Sequence, residues 1–452
     1  GGYIITGSTR SFGNGQSDIW LIKTDNQGNE EWNRTFGGSG YDYGSDVRQT
    51  TDGGYIIIGF TSTWETYSGD IWLIKTDNQG IEEWNKTFGG SSDDFGISVR
   101  QTTDGGYIIL GEDQEPDDPY YSFETCYINL IKTDSEGNEE WNQTFGGSSR
   151  NGGYSVQQTS DDGYILTGST GGTISPVDFE NIEVWLSKTD SQGNEEWNKT
   201  FGGSESDEGK SVHQTTDGGY IITGTTESFG NGRRDVWLLK TDGQGNEEWN
   251  QTFGGNNNDE GNSVQQTTDG GYIITGNTNF FQNDSDSDVW LIKTDNQGNE
   301  EWNQTFGGNN HDYGNSVQQT TDGGYIISGY TNFFENDSIY SDSDVWLIKT
   351  NSEGTLESFE SFNNPYTFSL NQPYPNPFNP STTLDFSIPF SENVNIRVLD
   401  IVGREVDILM NEYLTNGNHK IEWNGQGHPS GIYFISFESG GFVETQKVVL
   451  MK

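Results

Sequence analysis

Hydrophobic and polar positions alternate in short runs that recur through most of the chain. One full copy contains four such runs, SDVRQT (45–50), YIIIG (55–59), DIWLIKT (70–76) and EEWNKTF (82–88). Ile, Val, Tyr, Trp and Thr dominate them and turn residues bound them, which is typical of β-strands. Since no apolar pattern with helical spacing extends over a useful length, the sequence predicts an all-β protein.

Short turns connect these runs. TDGG (51–54) joins the first to the second, and DNQG (77–80) joins the third to the fourth. Gly supplies the positive φ of such turns, and Asp or Asn caps its own backbone. Because both connections are short, each unit is predicted to be a four-stranded antiparallel meander. Its third strand is apolar on both faces, so it needs cover from two neighbouring units.

The unit repeats along the chain. The tyrosine of its GGYI segment or equivalent recurs at Tyr3, Tyr55, Tyr107, Tyr164, Tyr220, Tyr272 and Tyr325. A period of this size indicates a repeat architecture, and units that must stack favour a β-propeller. Second to fourth strands occur seven times, the last fourth strand being degenerate, and first strands six times. We predict seven blades over residues 1–362, the first blade incomplete, with eight blades as the alternative.

The residues that make up the repeat support this fold. TFGGSGYDYGSDVRQTTDGGYIIIGFT, followed by DIWLIKTD and GIEEW, resembles the bacterial and archaeal β-propeller repeat family of the SBBP type. The resemblance covers residues 1 to about 360. It implies a fold and no particular activity. The chain begins within the repeat, at Gly1, and we expect an export signal and further strands upstream.

The copies differ chiefly in the connection between their second and third strands. In blades 2, 3, 4 and 7 this connection covers residues 60–69, 112–125, 169–181 and 330–343. These connections share one end of a propeller, which we call the variable face. Variable loops on a rigid scaffold commonly carry binding sites, so this face is the candidate surface for a glycan or protein ligand. Neutral drift of surface loops is the alternative.

An aspartate recurs on the same face, six residues after the phenylalanine of the repeat. The copies are Asp42, Asp94, Asp207, Asp259 and Asp312, with Asn151 in the remaining copy. A ring of carboxylates is a candidate Ca²⁺ site, although Asp before a glycine turn commonly accepts backbone N–H groups instead. Asp284, Asp286 and Asp288 are spaced like the start of a calcium loop, but Val289 stands where its glycine belongs.

Twelve of the 14 tryptophans occupy two repeat positions. They are Trp20, Trp72, Trp185, Trp237, Trp290 and Trp346, with Asn129 as the exception, and Trp32, Trp84, Trp141, Trp197, Trp249 and Trp302. Carbohydrate stacking is one interpretation, but mid-strand positions favour a core between blades. The N-x-T sequons that begin at Asn33, Asn85, Asn142, Asn198, Asn250 and Asn303 repeat with them, and we expect no glycan there.

Amino-acid composition and charge argue against several classes of partner and structure. The formal net charge is −47, from 22 Lys and Arg against 69 Asp and Glu, which argues against nucleic acid as a partner. So much negative charge favours solubility, but the repulsion between like charges destabilises the compact state. We therefore expect a saline medium or bound cations to screen this repulsion. The single cysteine, Cys126, permits no internal disulfide. No run of 18 apolar residues indicates a transmembrane helix.

Catalytic motifs are missing from the sequence. His213, His311, His419 and His428 do not cluster, and neither HExxH, GxSxG, a P-loop nor a Rossmann fingerprint occurs. We therefore predict a protein that is not an enzyme and needs no cofactor apart from the candidate Ca²⁺. A hydrolase that uses paired acidic residues on the variable face is the alternative, since carboxylates are abundant everywhere.

Composition shifts after Phe362. Residues 363–373 form a predicted linker, and six of the ten prolines fall between Pro365 and Pro389. Short alternating runs follow at 383–388, 395–400, 405–410, 419–423, 431–438 and 442–450. This pattern predicts a small Ig-like β-sandwich over residues 374–452.

The motifs of this second domain are specific. It opens with YPNPFNPST, continues with VNIRVLDIVGREV, GNH, IEWNG and SGIYF, and closes with KVVLMK. These segments resemble the type A C-terminal sorting domain of type IX secretion. The motif residues are Tyr374, Pro375, Asn376, Pro377, Phe378, Asn379, Pro380, Gly403, Ser430, Gly431, Tyr433 and Lys452.

The resemblance implies export by the type IX machinery of a Gram-negative bacterium. The product would be released or held at the outer cell surface. Together the two domains predict a secreted or surface-displayed propeller with a role in binding, adhesion or surface structure. The alternatives are the secreted hydrolase described above and a protein whose near-identical blades assemble into surface layers or filaments.

Overall fold

The computed structural model describes residues 1–63, 68–114, 126–146, 151–171, 181–279, 287–308, 311–333, 342–356, 369–388, 392–414, 417–439 and 442–452. The chain divides into two compact units, Gly1–Glu357 and Ser358–Lys452.

The first unit contains consecutive antiparallel sheets, each called a blade, in which every strand pairs with the next strand along the chain. Blade 1 has β1 (Tyr3–Thr9), β2 (Asp18–Thr24) and β3 (Glu30–Phe36), and blade 2 has β4 (Asp42–Gln49), β5 (Tyr55–Ser62), β6 (Gly69–Thr76) and β7 (Glu82–Phe88). Blade 3 has β8 (Asp93–Gln101), β9 (Tyr107–Gln114), β10 (Cys126–Thr133) and β11 (Glu139–Gly146), and blade 4 has β12 (Gly152–Gln158), β13 (Tyr164–Gly171), β14 (Ile182–Thr189) and β15 (Glu195–Phe201).

The remaining blades follow the same plan. Blade 5 has β16 (Asp207–Gln214), β17 (Tyr220–Thr226), β18 (Asp235–Thr241) and β19 (Glu247–Phe253), and blade 6 has β20 (Asp259–Gln266), β21 (Tyr272–Asn279), β22 (Ser287–Thr294) and β23 (Glu300–Phe306). Blade 7 has β24 (His311–Gln319), β25 (Tyr325–Phe333) and β26 (Asp342–Thr350). Of its predicted degenerate fourth strand, only residues 355 and 356 are described, and Leu356 forms a bridge with Thr350.

These sheets confirm the predicted class, an all-β chain built from repeated four-stranded antiparallel sheets. Packing between consecutive blades explains why the inner strands are apolar on both faces. In blade 2, Ile57 and Ile74 pack against blade 1. Ile56, Ile71 and Leu73 of the same blade pack against blade 3. Blades 2 to 6 therefore each bury two faces, which supplies the cover that a single blade lacks.

The first strands of blades 2 to 7 lie side by side around the centre of the unit. Glutamine side chains fasten them to their neighbours. The Thr51 N–H donates to Gln101 Oε1 at 2.8 Å, and equivalent bonds join Thr103 to Gln158 and Thr216 to Gln266. A hydrogen bond from a main-chain N–H of one blade to a glutamine side chain of the next blade thus recurs along the unit.

The second unit is a sandwich of two antiparallel sheets. One sheet holds β27 (Ser369–Leu370), β28 (Ser381–Ile388) and β31 (Gly417–Asn424), and the other holds β30 (Glu405–Leu414), β29 (Glu392–Leu399), β32 (Gly431–Ser439) and β33 (Phe442–Leu450). A single 3₁₀ turn, Gly425–Gly427, follows β31. The core between the sheets includes Phe386, Trp423, Ile396 and Phe437. The short strand β27 lies within the stretch that we predicted as a linker and pairs with β28.

The YPNPFNPST motif packs along the last strand of this sandwich. The Phe378 N–H donates to Val449 O at 2.9 Å, and the Met451 N–H donates to Phe378 O at 3.0 Å. Asn376 adds two further bonds, one to Lys447 O at 2.7 Å and one from the Val449 N–H at 2.9 Å. The Phe378 ring is buried and lies 5.2 Å from the Trp423 ring. The motif therefore ties the start of the domain to its end.

Other motif residues stabilise turns. Gly403 has a φ of +81° in the turn that Asp400 caps. The Tyr433 hydroxyl donates to Pro429 O at 2.8 Å, and the Lys452 N–H donates to Ser430 Oγ at 3.0 Å. Tyr374, by contrast, is 80% exposed.

Candidate functional site

The five repeated aspartates lie at or near the start of the first strands and are buried. Asp42, Asp94, Asp207, Asp259 and Asp312 have relative exposures between 0% and 4%. The Asn151 side chain takes their place in blade 4 and is also buried. Each of blades 2 to 7 thus buries one of these groups at an equivalent position.

Hydrogen bonds within each blade hold these carboxylates. Asp42 Oδ2 accepts the Gly38 N–H at 3.0 Å, and its Oδ1 accepts the Thr61 hydroxyl at 2.5 Å. The other copies accept the N–H of Gly90, Gly203, Gly255 and Gly308. The side chains therefore cap the turns at Phe36-Gly37-Gly38 and its equivalents, which we call the FGG turns. No group of three or more potential metal ligands comes together among the described residues. The Ca²⁺ site stays a prediction.

Sequence reasoning missed a second set of carboxylates next to the first. A Cβ atom built on Gly37 would overlap Asp18 Oδ1 and lie 2.8 Å from Asp42 Oδ2. The two carboxylates therefore approach each other across a glycine at the junction of two blades. The same arrangement joins Asp70 to Asp94 across Gly89, Asp235 to Asp259 across Gly254, and Asp288 to Asp312 across Gly307. The signal was the Asp that recurs at or near the start of the third strand of the repeat, as Asp18, Asp70, Asp235 and Asp288.

Three of the repeated or paired aspartates, Asp42, Asp94 and Asp235, have raised pKa values. Burial, and then the neighbouring carboxylates of Asp113, Asp70 and Asp93, raise the pKa of Asp94 to about 6. Burial raises the pKa of Asp42 and Asp235 as well, with Asp18 and Asp259 as the respective charged neighbours. Like charges in a shared, poorly solvated space oppose each other's ionisation. Burial and like charge therefore raise the pKa of Asp42, Asp94 and Asp235 at their junctions.

Aromatic rings form a stack at the edge of blades 2 and 3, where the strands reach the variable face. The ring centroids of Tyr41 and Tyr43 are 6.2 Å apart, those of Tyr43 and Phe60 are 6.2 Å apart, and those of Phe60 and Phe95 are 4.6 Å apart. All three pairs are stacked. We call these four residues the aromatic ladder. Phe60 is buried, whereas Tyr41 is 40% exposed at the free end.

A shorter stack lies on blade 7. The Tyr313 ring is 4.7 Å from the Tyr330 ring and 6.3 Å from that of His311. In each stack one ring belongs to the residue directly before the repeated aspartate, Tyr41 before Asp42 and His311 before Asp312. Most of the longer variable connections, and Asp284 and Asp286, lie outside the described residues.

The tryptophans occupy the inter-blade positions that the sequence predicts. Trp32 and its five equivalents each pack against the GGYI tyrosine of the next blade. Four tryptophans of the other set, Trp20, Trp72, Trp237 and Trp290, donate to the asparagines of the sequons. The Nε1–H of Trp72, for example, donates to Asn85 Oδ1 at 3.2 Å. The recurring asparagine therefore has a structural partner in the adjacent strand.

A cavity of about 580 Å³ lies at the junction of blades 3 and 4. Phe145, Trp185 and Glu195 are among its lining residues. Its wall also includes Thr144, which donates to Asn129 Oδ1 at 3.0 Å. The cavity therefore lies beside the one copy that carries asparagine in place of tryptophan.

Comparison with known proteins identifies the second unit. Residues 372–451 match the family described as "Secretion system C-terminal sorting domain". This match supports the type IX sorting domain that the sequence motifs predict. The chain therefore carries the sorting signal of a secreted protein. No curated protein matches the chain.

Solved structures with repeated sheets resemble the chain only distantly. A GH32 β-fructofuranosidase of Bombyx mori, BmSUC1, is 12% identical with a TM-score of 0.33, and the match covers 78% of this chain and 86% of that one. A puromycin hydrolase variant in complex with PGG is 10% identical with a TM-score of 0.43, and the match covers 83% of this chain and 57% of that one. Among the described residues, no helix has the length and apolar character of a membrane span.

Proposed function

We propose that the protein is a binding protein of the outer cell surface of a Gram-negative bacterium, and that its propeller holds a neutral glycan at the aromatic ladder. The C-terminal sandwich is the part that the type IX machinery recognises. The observation that carries the ligand proposal is the run of stacked rings from Phe95 and Phe60 through Tyr43 to the exposed Tyr41.

Ring geometry supports a sugar ligand. Each inner ring of the ladder is braced by the next, so the outer ring is held in place before a ligand arrives. Aromatic faces present a rigid apolar surface, and the tyrosine hydroxyls supply polar contacts at their edges. Such a surface suits a pyranose, which has an apolar face and hydroxyl groups around its rim.

Electrostatics favours a neutral ligand. Asp93, Asp94 and Asp113 lie close to one another beside the ladder residue Phe95. Carboxylates at this edge would repel an acidic polysaccharide but accept hydrogen bonds from the hydroxyl groups of an uncharged one.

A glycan array tests the proposal. The full chain should bind one set of neutral glycans, and Tyr41→Ala and Tyr43→Ala should each weaken binding about tenfold or more. Tyr413→Ala is the matched control, because Tyr413 is also an exposed tyrosine, at 65%, but lies in the sandwich. Equal binding by the Tyr41→Ala and Tyr413→Ala variants would contradict a site at the ladder.

We propose no catalytic step for this site. Asp94 has a pKa suited to a general acid, but its side chain is only 3% exposed and so is poorly placed to reach a substrate. Incubating the bound glycans with the protein should therefore leave them uncleaved. Cleavage that Asp94→Asn abolishes would overturn this part of the proposal and favour the hydrolase.

A further inference from the structure

We propose that the centre of the propeller contains a binding site for an oxyanion, formed by Arg48, Arg100 and His213. The site is separate from the aromatic ladder and does not depend on the glycan proposal. Its chemical target is a sulfate, phosphate or carboxylate group.

The three residues occupy one repeat position on the first strands. The copies at this position are Arg48, Arg100, Gln157, His213, Gln265 and Gln318. Two of the three glutamines join neighbouring blades: Gln157 Oε1 accepts the Gln214 N–H at 2.7 Å, and Gln265 Oε1 accepts the Gln319 N–H at 2.8 Å. A guanidinium has no acceptor atom, so Arg48 and Arg100 cannot make this bond. All three departures from glutamine introduce a group that can carry positive charge.

These groups occupy one repeat position on the first strands of blades 2, 3 and 5, and those strands belong to the series that lies side by side around the centre of the unit. Burial, and then the positive charges of Arg100 and Arg48, lower the pKa of His213. Burial and the charge of Arg48 likewise lower the pKa of Arg100, to about 10. Strands that are not neighbours in the propeller thus bring like charges into one another's field. Such a concentration of positive charge is costly without a compensating anion.

One carboxylate, Asp46, offsets part of this charge. Its Oδ2 lies 2.5 Å from Arg100 Nη1, and its Oδ1 lies 3.2 Å from Arg48 Nε. Arg48 Nε is buried, and although it lies within ion-pair distance of Asp46, its N–H is not directed so as to form a hydrogen bond with any described residue. The other copies carry serine at the position of Asp46, namely Ser98, Ser155, Ser211, Ser263 and Ser316. Blade 2, which carries the first arginine, therefore has aspartate where the other copies have serine.

Donors remain after Asp46 is counted. Two guanidinium groups offer ten N–H donors, and a carboxylate can accept only some of them. The side chains of Arg48 and Arg100 remain 30% and 26% exposed, so they can reach a ligand. The buried lysines of the blades differ: Lys240 Nζ contacts both Asp217, at 3.1 Å, and Glu248, at 2.8 Å, and is 3% exposed. Forked donors in a confined space are the arrangement that binds oxyanions.

Calorimetric titration of the full chain with sodium sulfate, at ionic strength held constant with sodium chloride, tests the proposal. Binding should be measurable for the native chain and about tenfold or more weaker for the double variant Arg48→Gln, Arg100→Gln. Glutamine is the residue that three other blades carry at this position, so the double variant should fold, which circular dichroism will verify. Asp46→Ser removes the competing carboxylate and should strengthen binding. The double variant Arg10→Gln, Arg233→Gln, at two exposed arginines, removes the same charge elsewhere and should leave binding unchanged.

A second titration with galacturonate distinguishes a free inorganic oxyanion from the acid group of a sugar. Tighter binding of sulfate assigns the site to the inorganic ion, and tighter binding of galacturonate assigns it to a carboxylate on a larger ligand. Protonated His213 should add to the affinity, so binding should strengthen between pH 7.5 and pH 5.5 in the native chain but less in His213→Gln. The proposal is wrong if neither compound binds, or if the double variant Arg48→Gln, Arg100→Gln binds as the native chain does.

Discussion

The indole of Trp84 meets the ring of Tyr107 edge-on, with ring centroids 5.9 Å apart and ring planes inclined by 63°. Trp84 belongs to the outer strand of blade 2, and Tyr107 begins the second strand of blade 3. The same contact joins Trp32 to Tyr55, Trp141 to Tyr164, Trp197 to Tyr220, Trp249 to Tyr272 and Trp302 to Tyr325. The repeat in the sequence is thus a repeat of junctions between blades.

Replacing Trp84 with alanine should destabilise the propeller. The Tyr107 side chain is 1% exposed under this indole, so truncation would admit water to a buried ring. Because Trp84 itself is only partly buried, we expect a loss of about 2–4 kcal/mol, at or below the range for fully buried aromatic residues. Guanidinium denaturation followed by circular dichroism measures the change. Trp84→Phe should lose less, and an unchanged midpoint for Trp84→Ala would contradict a junction role.

Gly137 allows the turn of blade 3 to approach the same tryptophan closely. Its φ is +76°, and a Cβ atom there would lie 2.5 Å from Trp84 Cζ3. Gly137→Ala should therefore cost the strain of a left-handed residue, about 1–2 kcal/mol, plus the displacement of the indole. Gly105→Ala is the matched control, since Gly105 has a φ of +89° with nothing within 4 Å of its Cβ. Equal losses in the two variants, measured by thermal unfolding, would show that the contact with Trp84 has no effect.

The sequence predicted this part of the fold well because every copy of the repeat shows the same hydrophobic pattern. Runs such as residues 55–59 are apolar at every position, and that pattern identifies strands covered on both sides. The strand bounds follow closely: β7 (Glu82–Phe88) matches its predicted run, and β4 (Asp42–Gln49) begins three residues earlier than predicted. The early start reflects the FGG turn, where Asp42 already pairs with Thr61.

Sites formed by residues from different copies of the repeat could not be predicted from the sequence. Arg48 and His213 are far apart in the chain, and only the ring of first strands brings them into one field. The signal was present as a departure from glutamine at one repeat position. Its meaning depends on knowing that this position faces the centre. The pairing of Asp18 with Asp42 was missed for the same reason, because it joins the third strand of one blade to the first strand of the next.

Asp94→Asn should stabilise the protein at neutral pH. The pKa of Asp94 is about 6 in the folded protein, above the 3.8 of an unperturbed aspartate, so the folded state binds its proton more tightly than the unfolded state does. Ionised Asp94 therefore disfavours folding above pH 6, and this penalty disappears as the pH falls from about 6 to about 4. The amide removes it altogether, so we expect a gain on the order of 1–3 kcal/mol at pH 7.5.

Stability against pH provides the check on Asp94. The difference between Asp94→Asn and the native chain should be largest at pH 7.5 and small at pH 4. Asn151, the natural equivalent in blade 4, accepts the Thr170 hydroxyl at 2.8 Å, so an amide fits this position. A difference that grows as the pH falls would have the opposite sign and would show that ionised Asp94 stabilises the fold.

Phe378 is the point at which the sorting domain should be most sensitive to a single change. Its ring is 2% exposed against Trp423, and its main chain pairs with Val449 and Met451 of the C-terminal end. Phe378→Ala should therefore destabilise the sandwich by about 3–5 kcal/mol. The sandwich core runs from Leu370 to Leu450 and includes no propeller residue, so the propeller transition should keep its midpoint in calorimetry. Tyr374→Ala, in the same motif but at an 80% exposed side chain, should change neither transition. A Phe378→Ala variant that lowers both midpoints together would mean that the two units unfold as one.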